Sequence, residues 1–63
     1  MRLNGMTAVV TGGASGMGES MVYALAKEGA SIIVVDRNAD GANKVATNVE
    51  REAGKAICVK ADV

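Results

Sequence analysis

TGGASGMG, residues 11–18, is the stretch that decides how this chain folds. Before it, residues 6–10 (MTAVV) are a short apolar run rich in β-branched side chains, which predicts a buried strand. After it, apolar side chains recur at three- and four-residue spacing, which predicts a helix that ends before Gly29. The members of that stripe are Met17, Met21, Val22, Leu25 and Ala26. The glycine-rich stretch therefore joins a strand to a helix.

The remaining sequence continues the alternation of strand and helix. Residues 31–35 (SIIVV) are a continuous apolar run, too short for a helix, that predicts a second strand followed by a turn. A second helix is predicted to begin near Asn38 or Asp40 and to end at Gly54. Residues 56–59 (AICV) predict a third strand. The apolar stripe of the second helix consists of Ala42, Val45, Ala46, Val49 and Ala53.

This order of elements is typical of two consecutive βαβ units that share a parallel sheet. The predicted fold class is α/β, a doubly wound parallel sheet of which this chain holds three strands and two helices. If the strands add in one direction, right-handed crossovers place both helices on the same face. The other face is then bare, although strands as apolar as SIIVV expect cover on both sides. We therefore predict that residues 1–63 are the first part of a larger domain, truncated after its third strand.

The composition excludes several classes of function. The 63 residues carry seven basic and seven acidic side chains, with no basic stripe that would predict binding to nucleic acid. No apolar run approaches the roughly 20 residues that cross a bilayer, so no membrane partner is predicted. Cys58 is the single cysteine and histidine is absent, which leaves neither an internal disulfide nor a structural metal site. These features predict a cytoplasmic protein in which Cys58 is packed in the core.

The glycine-rich stretch has the composition of an anion-binding turn. Glycines allow the backbone to approach a pyrophosphate, and the free amides and dipole of the following helix attract its negative charge. Asp36 follows the second strand, 18 residues after Gly18, close to the offset of about 20 residues at which an acid meets an adenosine ribose. A carboxylate there accepts hydrogen bonds from both ribose hydroxyls and repels a 2′-phosphate. The pattern therefore predicts a dinucleotide site.

With its glycines spaced T-G-x-x-x-G-x-G rather than G-x-G-x-x-G, the chain resembles the short-chain dehydrogenase/reductase family. The resemblance covers essentially the whole chain and also includes the acid after the second strand and the Asp62-Val63 pair after the third. It implies that residues 1–63 are the N-terminal part of a single NAD(P)-binding domain of the Rossmann type. It further implies that Asp36 holds the adenosine ribose and that Asp62 and Val63 contact the adenine. The residues implied to surround the pyrophosphate and the adjoining ribose are Gly12, Ser15, Gly16, Met17 and Gly18.

The resemblance implies an NAD(P)-dependent oxidoreductase that transfers a hydride between nicotinamide and a small alcohol or carbonyl substrate. This chain would supply the ADP-binding half, with no catalytic residue of its own, and would be inactive alone. Family members that prefer NADP carry a basic residue at the position of Ser15. Both Ser15 and Asp36 therefore favour NAD. Arg37 favours NADP as the alternative, because a guanidinium binds a 2′-phosphate, but we interpret it as a solvated turn residue or one that stacks on the adenine. Family members often form homo-oligomers. The alternative function is a non-catalytic nucleotide-binding or interaction fragment that pairs with another chain.

Two further motifs match catalytic or phosphate-binding patterns that we do not assign to this chain. Tyr23 and Lys27 match the spacing of the family's catalytic Y-x-x-x-K, yet the family's pair lies far downstream on a later helix. Residues 13–20 match a P-loop except that Glu19 stands where a lysine must bind phosphate, which reverses the charge needed there. The side chains of Met17 and Met21 are expected to fill gaps in the core.

Overall fold

A computed structural model describes residues 3–61, which form a three-stranded parallel sheet and two helices. The elements are β1 (Thr7–Thr11), α1 (Gly16–Lys27), β2 (Ser31–Asp36), α2 (Ala39–Arg51) and β3 (Lys55–Lys60). The strands lie side by side in the order β1-β2-β3, and both neighbouring pairs are parallel. This arrangement confirms the predicted α/β alternation. Among the described residues, no helix has the length and apolar character needed to cross a membrane.

Polar side chains cap the amino ends of both helices. Ser15 precedes α1, and its hydroxyl oxygen accepts the amide of Gly18. Asn38 precedes α2, and its Oδ1 accepts the amide of Gly41 at 3.0 Å. Of the two predicted starting points for α2, the structure therefore selects Asn38.

Left-handed residues follow the carboxyl ends of both helices. Gly29, beyond α1, has φ +97°, as its position after the apolar stripe predicts. α2 ends at Arg51 rather than at Gly54, because Ala53 takes φ +65° and turns the chain out of the helix. The predicted membership of Ala53 in the apolar stripe is therefore wrong, and its side chain is exposed.

The core lies between one face of the sheet and the two helices, which also contact each other. Ile32 and Val34 of the central strand point to that face and are fully buried. Val22 of α1 and Val49 of α2 are the large side chains that pack over them. The predicted placement of both helices on one face is confirmed. The buried apolar residues are Val10, Val22, Ala30, Ile32, Val34, Ala42, Val45, Ala46, Val49 and Ala56.

The opposite face of the sheet has no cover from residues 3–61. Val9 of β1 is 62% exposed, and Ile57 and Val59 of β3 are 60% and 40% exposed. These side chains alternate along their strands with the buried ones, so they share one face. The bare apolar face predicted from the sequence is therefore present in the described part of the chain.

Three side chains that were predicted to be packed are exposed. Met17 and Met21 lie one turn apart on a flank of α1 that the sheet and α2 leave uncovered. Cys58 is paired in register with Val34, but β3 is an edge strand and the Cys58 side chain meets the polar Asn43, with Sγ 3.8 Å from Oδ1. An apolar stripe predicts that a helix has a core-facing side, but not how much of that stripe its neighbours cover.

Tyr23 connects the two helices. Its hydroxyl donates to Glu19 Oε2 at 2.8 Å and accepts from Asn48 Nδ2 of α2 at 3.0 Å. Burial raises the pKa of Tyr23, while the hydrogen bond from Asn48 lowers it and the neighbouring Glu19 raises it further. These contacts agree with a structural interpretation of Tyr23, and they show Glu19 accepting a hydrogen bond within the protein.

Candidate functional site

The turn between β1 and α1 forms the centre of the candidate site. Gly12 has φ +68°, a conformation that side chains rarely adopt, and its amide donates to the carbonyl of Val35 at 2.7 Å. The amide of Gly13 donates to the same carbonyl at 3.3 Å, and that of Ser15 donates to the carbonyl of Gly12 at 3.0 Å. Backbone hydrogen bonds therefore hold the turn against the end of β2.

Two glycines let the turn pack closely on its surroundings. A Cβ atom at Gly13 would lie 2.5 Å from Cγ1 of Val34, and one at Gly18 would overlap the carbonyl oxygen of Gly12. Both glycines are buried and neither has a positive φ, so the requirement is small size rather than backbone freedom. The sequence pattern gave Gly13 no role. Its close packing depends on Val34, more than 20 residues away, and no local pattern reveals it.

The first turn of α1 is open to an incoming anion. The amides of Gly16 and Met17 come too early in the helix to have a partner within it, and no hydrogen bond from either is found among residues 3–61. A Cβ atom at Gly16 would meet nothing within 4 Å. These two amides therefore offer donors at the positive end of the helix dipole.

Ser15 shapes this opening with its own hydroxyl. The Oγ donates to the carbonyl of Gly12 at 2.7 Å and accepts the amide of Gly18 at 3.3 Å. The side chain thus supports the turn and caps α1 at once. Its predicted contact with a cofactor stays a prediction, as do the ligand contacts of Gly12 and Gly18.

Asp36 stands beside the turn, at the carboxyl end of β2. Its Oδ2 accepts the amide of Ala14 at 3.0 Å, and its Oδ1 accepts the amide of Asn38 at 2.9 Å. The hydrogen bond from Asn38, followed by that from Ala14, lowers the pKa of the Asp36 carboxyl, and the charge of Arg37 adds to the effect. Asp36 is therefore held as a carboxylate next to the glycine-rich turn, and its predicted contact with a ribose stays a prediction.

Two basic residues share a surface depression with Asp36. A surface depression of about 570 Å³ is lined by Asp36, Arg37, Asn38 and Lys60. Lys60 is the β3 partner of Asp36 in the parallel register. The sequence pattern singled out Arg37 but not Lys60, which stands 24 positions beyond Asp36 and becomes its neighbour only through strand pairing.

The other predicted features lie away from this turn or outside the described residues. Asp62 and Val63, predicted to contact the adenine, fall outside residues 3–61. A larger cavity of about 1150 Å³, lined by Tyr23 and Asn48 among others, contains none of the predicted cofactor-binding residues. Within the described range, no cluster of three or more His, Cys, Asp or Glu side chains is arranged to hold a metal ion.

Comparison with known proteins decides the identity of this arrangement. Residues 6–63 match the family model described as short chain dehydrogenase. The chain belongs to the short-chain dehydrogenase family. Across 63 residues, this short-chain dehydrogenase sequence is 36% identical to the 7alpha-hydroxysteroid dehydrogenase of Escherichia coli (strain K12). The match covers 100% of this chain and 25% of that relative.

Solved structures match the same portion of the short-chain dehydrogenase fold. A 7 alpha-hydroxysteroid dehydrogenase complexed with NADH and 7-oxo glycochenodeoxycholic acid has a TM-score of 0.94 and 38% identity, over 97% of this chain and 24% of the other. A second structure is described as an NAD(P)-dependent gluconate 5-dehydrogenase from Beutenbergia cavernae with NADP bound at low occupancy. Its TM-score is 0.90 and its sequence identity is 40%, and the match covers 95% of this chain and 24% of the other. The chain is therefore a βαβαβ portion of a Rossmann-type sheet and spans about a quarter of the relatives it matches.

Proposed function

We propose that this chain binds the ADP half of a dinucleotide in an NAD(P)-dependent oxidoreductase. The observation that carries the proposal is the 3.0 Å hydrogen bond between Asp36 Oδ2 and the amide of Ala14. It makes the acid at the end of β2 a direct neighbour of the glycine-rich turn. A pyrophosphate on the turn and a ribose on the acid are then adjacent parts of one ligand.

The available donors and acceptors fit the two halves of this ligand. The open amides of Gly16 and Met17 suit the pyrophosphate oxygens, because they add hydrogen bonds to the favourable dipole of α1. Asp36 suits the ribose hydroxyls, because a carboxylate has about four lone-pair sites and two backbone amides occupy only part of them. The adenine contacts assigned to Asp62 and Val63 complete the proposal.

The proposed reaction class follows from family membership. Bound nicotinamide cofactor supplies a hydride acceptor or donor for an alcohol or carbonyl carbon. Residues 3–61 bind and orient the adenosine end, and none of them is assigned to the transfer of the proton. An assay of the isolated 63-residue chain with NAD and secondary alcohols tests this division. We expect no turnover above a blank without protein, and reproducible turnover would overturn it.

We propose NAD as the preferred cofactor, with NADP as the alternative. The negative charge of Asp36 repels a 2′-phosphate, whereas Arg37 and Lys60 beside it attract one. Asp36→Ala should weaken NAD binding and relax the exclusion of NADP. Asp40→Ala, which removes an exposed charge from the first turn of α2, is the matched control. An unchanged ratio of NAD to NADP affinity in Asp36→Ala would remove Asp36 from this role.

A second candidate function is a non-catalytic fragment that pairs with another chain. The exposed apolar face formed by Val9, Ile57 and Val59 favours it, because patches of this kind often mark interfaces. The two functions differ in what Val9→Thr does. A fragment that acts by pairing loses self-association or partner binding while it keeps nucleotide affinity. An oxidoreductase portion shows neither loss, because Val9 is 62% exposed among residues 3–61.

A further inference from the structure

A hydrogen bond and a close approach of the backbone meet at Ala14, a residue of the glycine-rich turn to which the motif itself gives no role. The backbone amide of Ala14 donates to Asp36 Oδ2 at 3.0 Å. Its Cβ atom faces the first turn of α2, where an added Cβ at Gly41 would lie only 2.9 Å from it. The hydrogen bond from the end of β2 and the close approach of the start of α2 therefore meet at one residue of the turn.

Gly41 is best explained by the space that Ala14 leaves. It is the third residue of α2 and has no positive φ, so its backbone conformation does not require glycine. Glycine is also a weaker helix former than alanine, so helix propensity does not explain it. The added Cβ would also lie 2.9 Å from Nδ2 of Asn38, the residue that caps the same helix. Only a residue without a side chain lets α2 approach the turn this closely.

We propose that Asp36 and Gly41 are positioning residues that fix the glycine-rich turn through Ala14. In this arrangement Asp36 has two tasks, recognition of the ribose and support of the turn that binds the pyrophosphate. Gly41 has only the second task, support of the turn, because it lies against the Cβ atom of Ala14 and has no side chain that could bind the ribose. The inference rests on the proposed dinucleotide site, but its structural part applies equally to the ligand-free chain.

The ligand-free test is hydrogen exchange at individual backbone amides. In Asp36→Asn, one carboxylate oxygen becomes an NH₂ group, which leaves a donor facing the amide of either Ala14 or Asn38. The amide of Ala14 should exchange about threefold or more faster in Asp36→Asn or in Asp36→Ala, which removes both acceptors. Asp40→Asn, on an exposed neighbouring position, should change neither. Unchanged exchange at the Ala14 amide in both Asp36→Asn and Asp36→Ala overturns the proposal.

The second test separates positioning from ribose recognition. Gly41→Ala forces Ala14 to move, because an added methyl in filled space displaces its neighbours, and we expect NAD and NADP affinities to fall by the same factor, about threefold to tenfold. The ratio of the two affinities should not change, in contrast to Asp36→Ala. Adding Ala14→Gly to Gly41→Ala removes one of the two colliding methyl groups and should recover part of the affinity.

The outcomes distinguish this proposal from the proposed function. Full affinity in Gly41→Ala, or no recovery in the Ala14→Gly double variant, contradicts the positioning role. Failure of the original chain to bind any dinucleotide contradicts the proposed function, and the exchange experiment then decides the positioning role alone. Circular dichroism of each variant checks that it is folded. If Gly41→Ala is not folded, the exchange rates in Asp36→Asn decide whether the turn is held as proposed.

Discussion

Replacing Gly13 with alanine tests how tightly the glycine-rich turn is packed on the sheet. The added Cβ would lie 2.5 Å from Val34 Cγ1 and 3.3 Å from the carbonyl oxygen of Val10. Neither atom can move away at low cost. Val34 is fully buried and has a stiff β-branched side chain, and the Val10 atom is a backbone carbonyl oxygen. Overpacking of this kind costs about 1–3 kcal/mol. If the substitution lowers the free energy of unfolding by about 2 kcal/mol, the Tm of a chain of this size should fall by roughly 8–16 °C.

Gly16→Ala is the matched control for this experiment. The same methyl group would meet no atom within 4 Å there, and the site begins a helix without a positive φ. Its stability should be equal to the original or up to about 1 kcal/mol higher, because alanine restricts the unfolded chain. Thermal and urea unfolding followed by circular dichroism compare the two variants. If Gly13→Ala is as stable as Gly16→Ala, the described packing of the turn on Val34 is refuted.

Three further predictions concern the helices and the acid. Tyr23→Phe removes both hydrogen bonds of the hydroxyl and should lower the free energy of unfolding by about 1 kcal/mol, measured in urea. The loss should be smaller in an Asn48→Ala background, where only the hydrogen bond to Glu19 is left to remove, and full additivity would contradict the described contact with Asn48. Ala53→Gly relieves the strain of an alanine in the left-handed region and should stabilise the chain by about 0.5–1 kcal/mol. Ala24→Gly, inside α1, is the control and should destabilise the chain by about as much. A change in the free energy of unfolding with the same sign in both variants would refute the assigned conformation of Ala53. Because the folded-state pKa of Asp36 lies below its ordinary value of 3.8, its contribution to stability is present above that value and is lost as the pH falls through the lowered pKa. A carboxyl ¹³C titration of Asp36 with a midpoint at or above 3.8 would contradict this.

The order of elements and the location of the site could be predicted because their signals are local. A strand, a glycine-rich turn and a helix follow one another within residues 7–27, and each is readable from its own spacing. Asp36 could be predicted as well, since the distance from the turn to the end of β2 is set by one helix and one strand. The candidate site could therefore be located from the order of its elements alone, without knowledge of any long-range contact.

The remaining features depend on contacts between distant parts of the chain. The closeness of Gly41 to Ala14, and of Lys60 to Asp36, arises from packing and strand register, and neither leaves a mark on the adjacent sequence. The exposure of Met17 has a similar origin. Periodicity placed it in the apolar stripe of α1, but the described neighbours of α1 cover only the Val22 side of that stripe.

The central claim is that the glycine-rich turn and Asp36 bind one dinucleotide together. Titration of the ¹⁵N-labelled chain with NAD tests it most directly, with the backbone amides followed individually. We predict saturable shifts at the amides of residues 12–18 and 36–38, with those around Tyr23 and Asn48 unaffected. An absence of saturable shifts at the turn, or shifts confined to the cavity beside Tyr23, would contradict the account.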